Sequence, residues 1–306
     1  MSTSGAGDSS TFGTRHRPLI VELNKETNKT TGPVPDELYH YTNASAALHI
    51  IESGELWASN ALFLNDAEEI EHGIAIYAKV VESVKTRGTH SQRTLDLFDS
   101  STLHAVMLRQ SAVFVCCLSA TRNQLSQWRA YCANGTGYSI GFRSNGFTDL
   151  RGDSPRLRLV RVLYTLEEQI GLISRLLGTF AAYLESLPEA MWNAERAILQ
   201  EYFVTEFFSI LSAMKLDSFG EEQEWRLVCL DWDYGEPKYS FRASRSGLIV
   251  PYYALRRPDK RLPFVRIIVG PSSHSEIAQC STQQLLRKHG YSDVPVEFCG
   301  IPFREL

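Results

Sequence analysis

The sequence predicts a mixed α+β fold carrying an inserted pair of long helices. Three observations lead there. Short strand-like segments recur from residue 37 to the end, helical patterns fall between them without strict βαβ alternation, and residues 165–215 read as two amphipathic helices parted near Pro188. The 306 residues, 43% hydrophobic and 22% charged, suffice for a substantial core. A net charge of −4 brings no general attraction to phosphate backbones. The longest unbroken apolar run, Ala112–Leu118, falls far short of the roughly 20 residues that span a bilayer. The six cysteines form no C-x-x-C pair, and the Ser/Thr/Gly-rich start lacks the apolar block of a secretory signal. A soluble, cytoplasmic chain without a membrane partner is therefore expected.

Taken in order, residues 1–35 are polar enough to read as a flexible tail, with Leu19-Ile20-Val21 alone able to dock as a short strand. Residues 36–306 then form one domain. Leu38–Thr42 has strand propensity; Asn43 caps a helix bearing Ala47, Leu48, Ile50 and Ile51, and Gly54 stops it. Leu56–Ala58 is a short strand. Asn65 or Asp66 caps the next helix, with Ile70, Ile74, Tyr77 and Val80 on its apolar face, and a further helix reaches about Arg109. Ala112–Leu118 is a buried strand, 122–131 a helix, and Gly137–Phe142 and Leu157–Tyr164 are strands. After the helical pair, strands return at 224–230, 239–241, 248–250, 265–269 and 294–298, with a helix over 275–288. The apolar residues of the pair, among them Leu172, Leu176, Phe180, Phe203 and Phe207, suit packing on the core or a homodimer interface.

Four clusters place chemistry at element ends. In Tyr39-His40-Tyr41-Thr42, a histidine and hydroxyls precede a helix start, which suits a ligand cleft as well as an alternating core strand. Asn65-Asp66 with Glu68, Glu69, Glu71 and His72 offers oxygen-rich helical spacing, equally the mark of a capped helix with an acidic first turn. In Gln127-Trp128-Arg129-Ala130-Tyr131, followed by Gly135-x-Gly137-Tyr138, an arginine between aromatics suits stacking and anion binding, or simple anchoring of a helix. Finally, Glu221-Glu222-Gln223-Glu224-Trp225-Arg226 brings three carboxylates into a strand whose alternation sets Glu222, Glu224 and Arg226 on one face. Such carboxylates stabilise positive charge developing on a sugar, or pair with arginine across the sheet.

The segments LYHYT (Leu38–Thr42), LND (Leu64–Asp66), QWRAY (Gln127–Tyr131), EWRLV (Glu224–Val228), IIVGP (Ile267–Pro271) and IPFR (Ile301–Arg304) together resemble a bacterial domain-of-unknown-function family over residues 37–306. Leu64 stands where that family carries Phe, and Ala67 where Pro is common. Members are suspected of toxin or phage-defence roles. More remotely, a Leu-Tyr-His strand, a glycine-terminated helix and a later Glu222-x-Glu224 strand are similar to ADP-ribosyltransferase folds. That resemblance implies a largely antiparallel sheet core and NAD as substrate. It implies His40 on the ribose beside the nicotinamide, Glu224 on its 2′-hydroxyl with Glu222 nearby, and Tyr131, Tyr138 or Ser119 completing the site. Arg129 or Arg226 would meet the pyrophosphate, and Tyr39, Tyr41, Thr42, Asn65, Asp66 and Trp128 would line the ligand. The acceptor would be a macromolecule, protein or nucleic acid, or water, and no metal is required.

The expectation is thus an NAD-using ADP-ribosyltransferase-like enzyme. Two other readings remain: a metal-dependent nuclease or phosphoesterase built on Asp66, Glu69 and the Glu221–Glu224 carboxylates, and a non-catalytic module sensing a nucleotide or protein.

Overall fold

A computed structural model describes residues 14–63, 67–99, 113–132, 137–150, 156–230, 238–244 and 247–301. Its ten strands are β1 (Glu37–Thr42), β2 (Glu55–Asn60), β3 (Val113–Ser119), β4 (Tyr138–Arg143), β5 (Arg156–Arg161), β6 (Glu224–Leu230), β7 (Ser240–Ala243), β8 (Ile249–Arg256), β9 (Phe264–Val269) and β10 (Val296–Phe298). They form one open sheet in the order β10-β9-β4-β1-β3-β2-β8-β7, with β6 hydrogen-bonded to β3 and β5 beyond it. The pairs are antiparallel except β9–β10. The fold is mixed α+β on a largely antiparallel sheet.

Strand β3 is where the sheet forks. Along one edge all seven of its residues pair with β6, from Val113↔Leu230 to Ser119↔Glu224. Its other edge serves two strands in turn: β2 at Phe114 and Val115, β1 at Ser119. The residues between these two pairings keep backbone groups that no strand satisfies, and a cleft opens there.

The continuous apolar run of β3 follows from burial on both faces. Val113 and Val115, with Cys117 packed against them, join one core; Phe114, Cys116 and Leu118 join the other. The first core lies under the helical pair, α6 (Leu166–Ser186) and α7 (Glu189–Leu211). Leu172, Leu176, Phe180, Phe203 and Phe207 meet Tyr77 and Phe98 there, with the Phe203 and Phe207 rings 4.5 Å apart. The apolar faces that suggested a dimer interface are thus buried within the chain. Thr165 caps α6 by accepting from the Glu168 amide at 3.3 Å.

The remaining helices are α1 (Arg17–Thr31), α2 (Ala44–Ser53), α3 (Ala67–Arg87), α4 (Gln92–Leu97), α5 (Leu125–Tyr131) and α8 (Ser275–Lys288). Helix α1 corrects the expectation of a tail through residue 35 and of a strand at Leu19–Val21. Leu19, Leu23, Thr27 and Thr31 recur every fourth residue and are buried. The stripe is too sparse to fold alone, and docking on α6 supplies the missing partner, secured by Arg175 with Glu26 at 3.2 Å. Asn43 caps α2 by accepting from the Ala46 amide at 3.0 Å. Gly54 ends it at φ 67°, where a Cβ would lie 2.1 Å from the Lys260 carbonyl oxygen. The further helix expected to run to about Arg109 falls partly outside the described residues; α4 is its described part. All six cysteines are free thiols. Among the described residues, no helix is long and apolar enough to cross a membrane.

Candidate active site

The cleft at the fork is small, about 50 Å³, and is lined by Tyr39, His40, Tyr41, Cys117, Leu118, Gln127, Tyr131, Glu222 and Glu224. Four elements contribute: β1, β3, α5 and the entry to β6. Residues from three separate sequence clusters, His40, Tyr131 and the Glu222/Glu224 pair, therefore share one cavity.

His40 meets the fork directly. Its Nδ1 lies 2.8 Å from the Cys117 carbonyl oxygen. A carbonyl only accepts, so Nδ1 carries the proton and the neutral ring presents Nε2 as a bare acceptor. Burial pushes the His40 pKa below the usual histidine value, against the opposing pull of that carbonyl. The ring fills a gap in the sheet's hydrogen bonding and gains a defined tautomer.

Behind the cleft lies a buried ionic network. Arg226 is sealed: its Nε donates to Glu224 Oε1 at 2.7 Å, its Nη2 to Glu69 Oε2 at 2.7 Å and to Glu224 Oε2 at 3.0 Å, and its Nη1 to the Ser212 carbonyl. Lys215 sits among three carboxylates, 2.6 Å from Glu222, 3.0 Å from Glu69 and 3.4 Å from Glu224. It enters just after α7, where a bridge between Leu163 and Met214 turns the chain back to the sheet. Gln169 of α6 donates to the Lys215 carbonyl at 2.9 Å and the Leu163 carbonyl at 2.8 Å, tying both ends of the helical pair to the site.

The two strand-entry carboxylates consequently differ. Burial opposes the charge of Glu224, but Arg226 and Lys215 hold its carboxyl below the usual range. For Glu222, burial prevails over Lys215, with Glu224 and Glu69 repelling its charge, and its carboxyl rises. Glu222 Oε2 accepts from Lys215, whereas among the described residues Oε1 has only the Tyr131 hydroxyl, at a long 3.4 Å. Burial likewise pushes the Tyr131 phenol far above its usual range. Both oxygens of Glu224 are thus taken by Arg226 and Lys215, while Glu222 keeps on the cleft an oxygen with a single long contact. A short 3₁₀ helix, Asp217–Glu222, followed by Gln223 at φ 43°, produces the difference by turning the chain between the two.

Other expected ligand residues have structural duties. Trp128 is fully buried, donates Nε1 to Asn123 at 2.9 Å and packs edge-on to Tyr41. Gly270 admits it, since a Cβ there would lie 2.8 Å from the indole. Tyr41 donates to the Thr121 carbonyl at 2.8 Å, and Tyr39 to Glu37, so both offer the cleft their rings rather than their hydroxyls. Ser119 donates to the Glu222 carbonyl at 2.6 Å and fixes that turn. Thr42 is buried, its carbonyl accepting from Cys132. Arg226 is enclosed by its partners, away from any pyrophosphate. Tyr138 lies in a separate groove between α2 and α8. Arg129 points to an open groove of about 520 Å³ with Gln124, Leu125, Ser126, Ala130 and Glu221, on the other side of α5 from Gln127 and Tyr131. Asn65 and Asp66 lie outside the described residues.

Lys215, Cys117 and Gln127 complete the site without having been singled out for it. Lys215 ends a segment read only as helix, Cys117 lay in an apolar run, and Gln127 was overshadowed by the neighbouring Trp and Arg. Glu69 joins the network from α3, where its helical spacing suggested a metal ligand. Of the carboxylates named for a metal-dependent hydrolase, Glu69, Glu222 and Glu224 converge, but around Lys215 and Arg226, whose cationic groups lie between them; Glu221 lines the groove beside α5, and Asp66 lies outside the described residues.

Residues 127–227, from α5 through β6, match the model of a family described as a protein of unknown function (DUF2971). A similarity to a domain of unknown function, expected over residues 37–306, is found for this central stretch, which carries Gln127, Tyr131, Lys215, Glu222, Glu224 and Arg226. No curated protein and no solved structure matches the chain.

Proposed function

We propose that the cleft breaks the N-glycosidic bond of NAD, passing the ADP-ribosyl group to a macromolecular acceptor, protein or nucleic acid, or to water. The observation that carries this reading is the convergence of His40, Tyr131 and a partly satisfied Glu222 on one cavity. In the proposed reaction the bond from the ribose C1′ to the pyridinium nitrogen breaks, and its electron pair leaves with nicotinamide. Glu222 stabilises the positive charge left on the sugar, and the bare Nε2 of His40 accepts a hydrogen bond from a ribose hydroxyl. The acceptor's nucleophile then bonds to C1′ and gives its proton to Glu222. Glu224 holds Arg226 and, through it, the strand entry.

A volume of about 50 Å³ admits a reacting group and not a whole dinucleotide, for which pockets run to about 300–1,000 Å³. The rest of the molecule would cross the rim toward the open groove beside α5, where Arg129 stands. The test is release of nicotinamide and transfer of label from NAD labelled in its adenosine half, with cell lysate as the acceptor source. Wild type should exceed Glu222→Gln by at least about 100-fold, the scale of one acid–base or electrostatic group. Equal rates in the two proteins would remove the proposal.

A further inference from the structure

Gln127 is 5% exposed as a residue, and its side chain, which ends in a primary carboxamide, lines the cleft. Among the described residues its side chain makes no hydrogen bond. On the same helix Trp128 is bonded to Asn123, and the Tyr131 hydroxyl reaches Glu222 at 3.4 Å. A carboxamide on a cleft wall with no protein partner is free to pair with a group that enters the site.

The surroundings define what enters. The cleft walls are mainly the rings of Tyr39, Tyr41 and Tyr131 with Leu118, which favours a flat, largely apolar body. Three carboxylates, Glu69, Glu222 and Glu224, face two cations, Lys215 and Arg226, so an anionic ligand would meet excess negative charge. His40 Nε2 and Glu222 Oε1 accept hydrogen bonds; Gln127 alone among the cleft's free groups both donates and accepts through one planar unit. Its complement is a neutral planar group with a donor beside an acceptor.

We propose that Gln127 is the specificity-determining residue of this cleft and pairs side by side, through two hydrogen bonds, with a primary carboxamide borne on a flat heteroaromatic ring. This deepens the NAD reading and rests on it, because there the leaving group is a pyridine carboxamide. The adenine edge offers the same donor–acceptor pattern, so the experiment separates the two.

The test measures dissociation constants of nicotinamide, benzamide, nicotinic acid and adenine for wild type and Gln127→Met, by calorimetry or ligand-observed NMR. Methionine keeps the length and volume while removing both polar atoms, and matched thermal melts confirm folding. If Gln127→Met does not fold, Gln127→Leu and Gln127→Glu serve in its place. Wild type should bind the two carboxamides at least ten times more tightly than nicotinic acid. Gln127→Met should lose at least tenfold for the carboxamides and nothing for nicotinic acid. The inference is overturned if no carboxamide binds wild type, if carboxamide binding is the same in both proteins, or if adenine is the ligand that depends on Gln127. Failure here and failure of the NAD reading are distinct. Gln127-dependent carboxamide binding without nicotinamide release from NAD sinks the enzymatic reading alone, whereas nicotinamide release that Gln127→Met leaves unchanged sinks only the role of Gln127.

Discussion

The two sides of the β6 entry treat their polar groups in opposite ways. On the side under the helical pair two arginines are closed off: Arg158 holds Glu206 with two hydrogen bonds of 2.6 and 2.9 Å, and Arg226 is bound by Glu224, Glu69 and a backbone carbonyl. On the cleft side, His40 Nε2, one oxygen of Glu222 and the amide of Gln127 keep unused hydrogen-bonding capacity. Both sides are buried, so burial does not mark the functional one. Under the proposed function the mark is spare hydrogen-bonding capacity, because only groups left open can be used by a ligand.

The sharpest way to break this comparison is at its closed side. Arg226→Met leaves Glu224, Glu69 and the Ser212 carbonyl without their shared donor; removing one partner of a buried ionic network costs about 3–5 kcal/mol. Urea unfolding should show that loss, and a midpoint equal to wild type would mean the network contributes no stability. A smaller contrast separates the neighbouring carboxylates. Glu224→Gln weakens the hold on Arg226 and should destabilise the fold by about 1–3 kcal/mol, the range for a compromised buried bond. Glu222→Gln should leave the melting temperature closer to wild type while removing turnover. The reverse ranking of the two in thermal melts would undo the division of roles.

Acid provides a third, gentler probe. His40 on the cleft side and His16 near α1 both have pKa values lowered by burial, with Glu195 opposing the shift at His16. A histidine whose folded pKa lies below its unfolded value of about 6.5 takes its proton first in the unfolded chain, so stability declines as pH falls below that value. Melting temperatures recorded from pH 7.5 to 5.5 should therefore fall, and His40→Gln should flatten part of the slope. The smallest effect belongs to Arg129. Its side chain is exposed, so Arg129→Ala should stay within about 0.5 kcal/mol of wild type, the usual range for surface changes. A change in KM for NAD at unaltered stability would place the outer part of the substrate in the groove beside α5.

Local pattern was enough for much of the architecture. The helix cap at Asn43, the stop at Gly54 and the break near Pro188 are governed by interactions within a few residues, which is why they are legible in order along the chain. The same is true of β3: a continuous apolar run of strand length announces burial on both faces. Helix α1 was not legible, because its four-residue stripe becomes meaningful only against α6.

For the site, sequence alone marked His40, Tyr131, Glu222 and Glu224 as polar or aromatic groups at element ends. What it left undecided was their division of labour. Glu222 and Glu224 are the same residue type two positions apart, and alternation along an extended strand would treat them alike. Tertiary structure distinguishes them. The turn at Gln223, the arrival of Lys215 from the end of the helical pair and the reach of Arg226 from β6 give one carboxylate a full set of partners and the other an open oxygen. These contacts join groups from three distant parts of the chain, and electrostatic partnership in a buried site depends on distance in space, of which order along the chain carries no record.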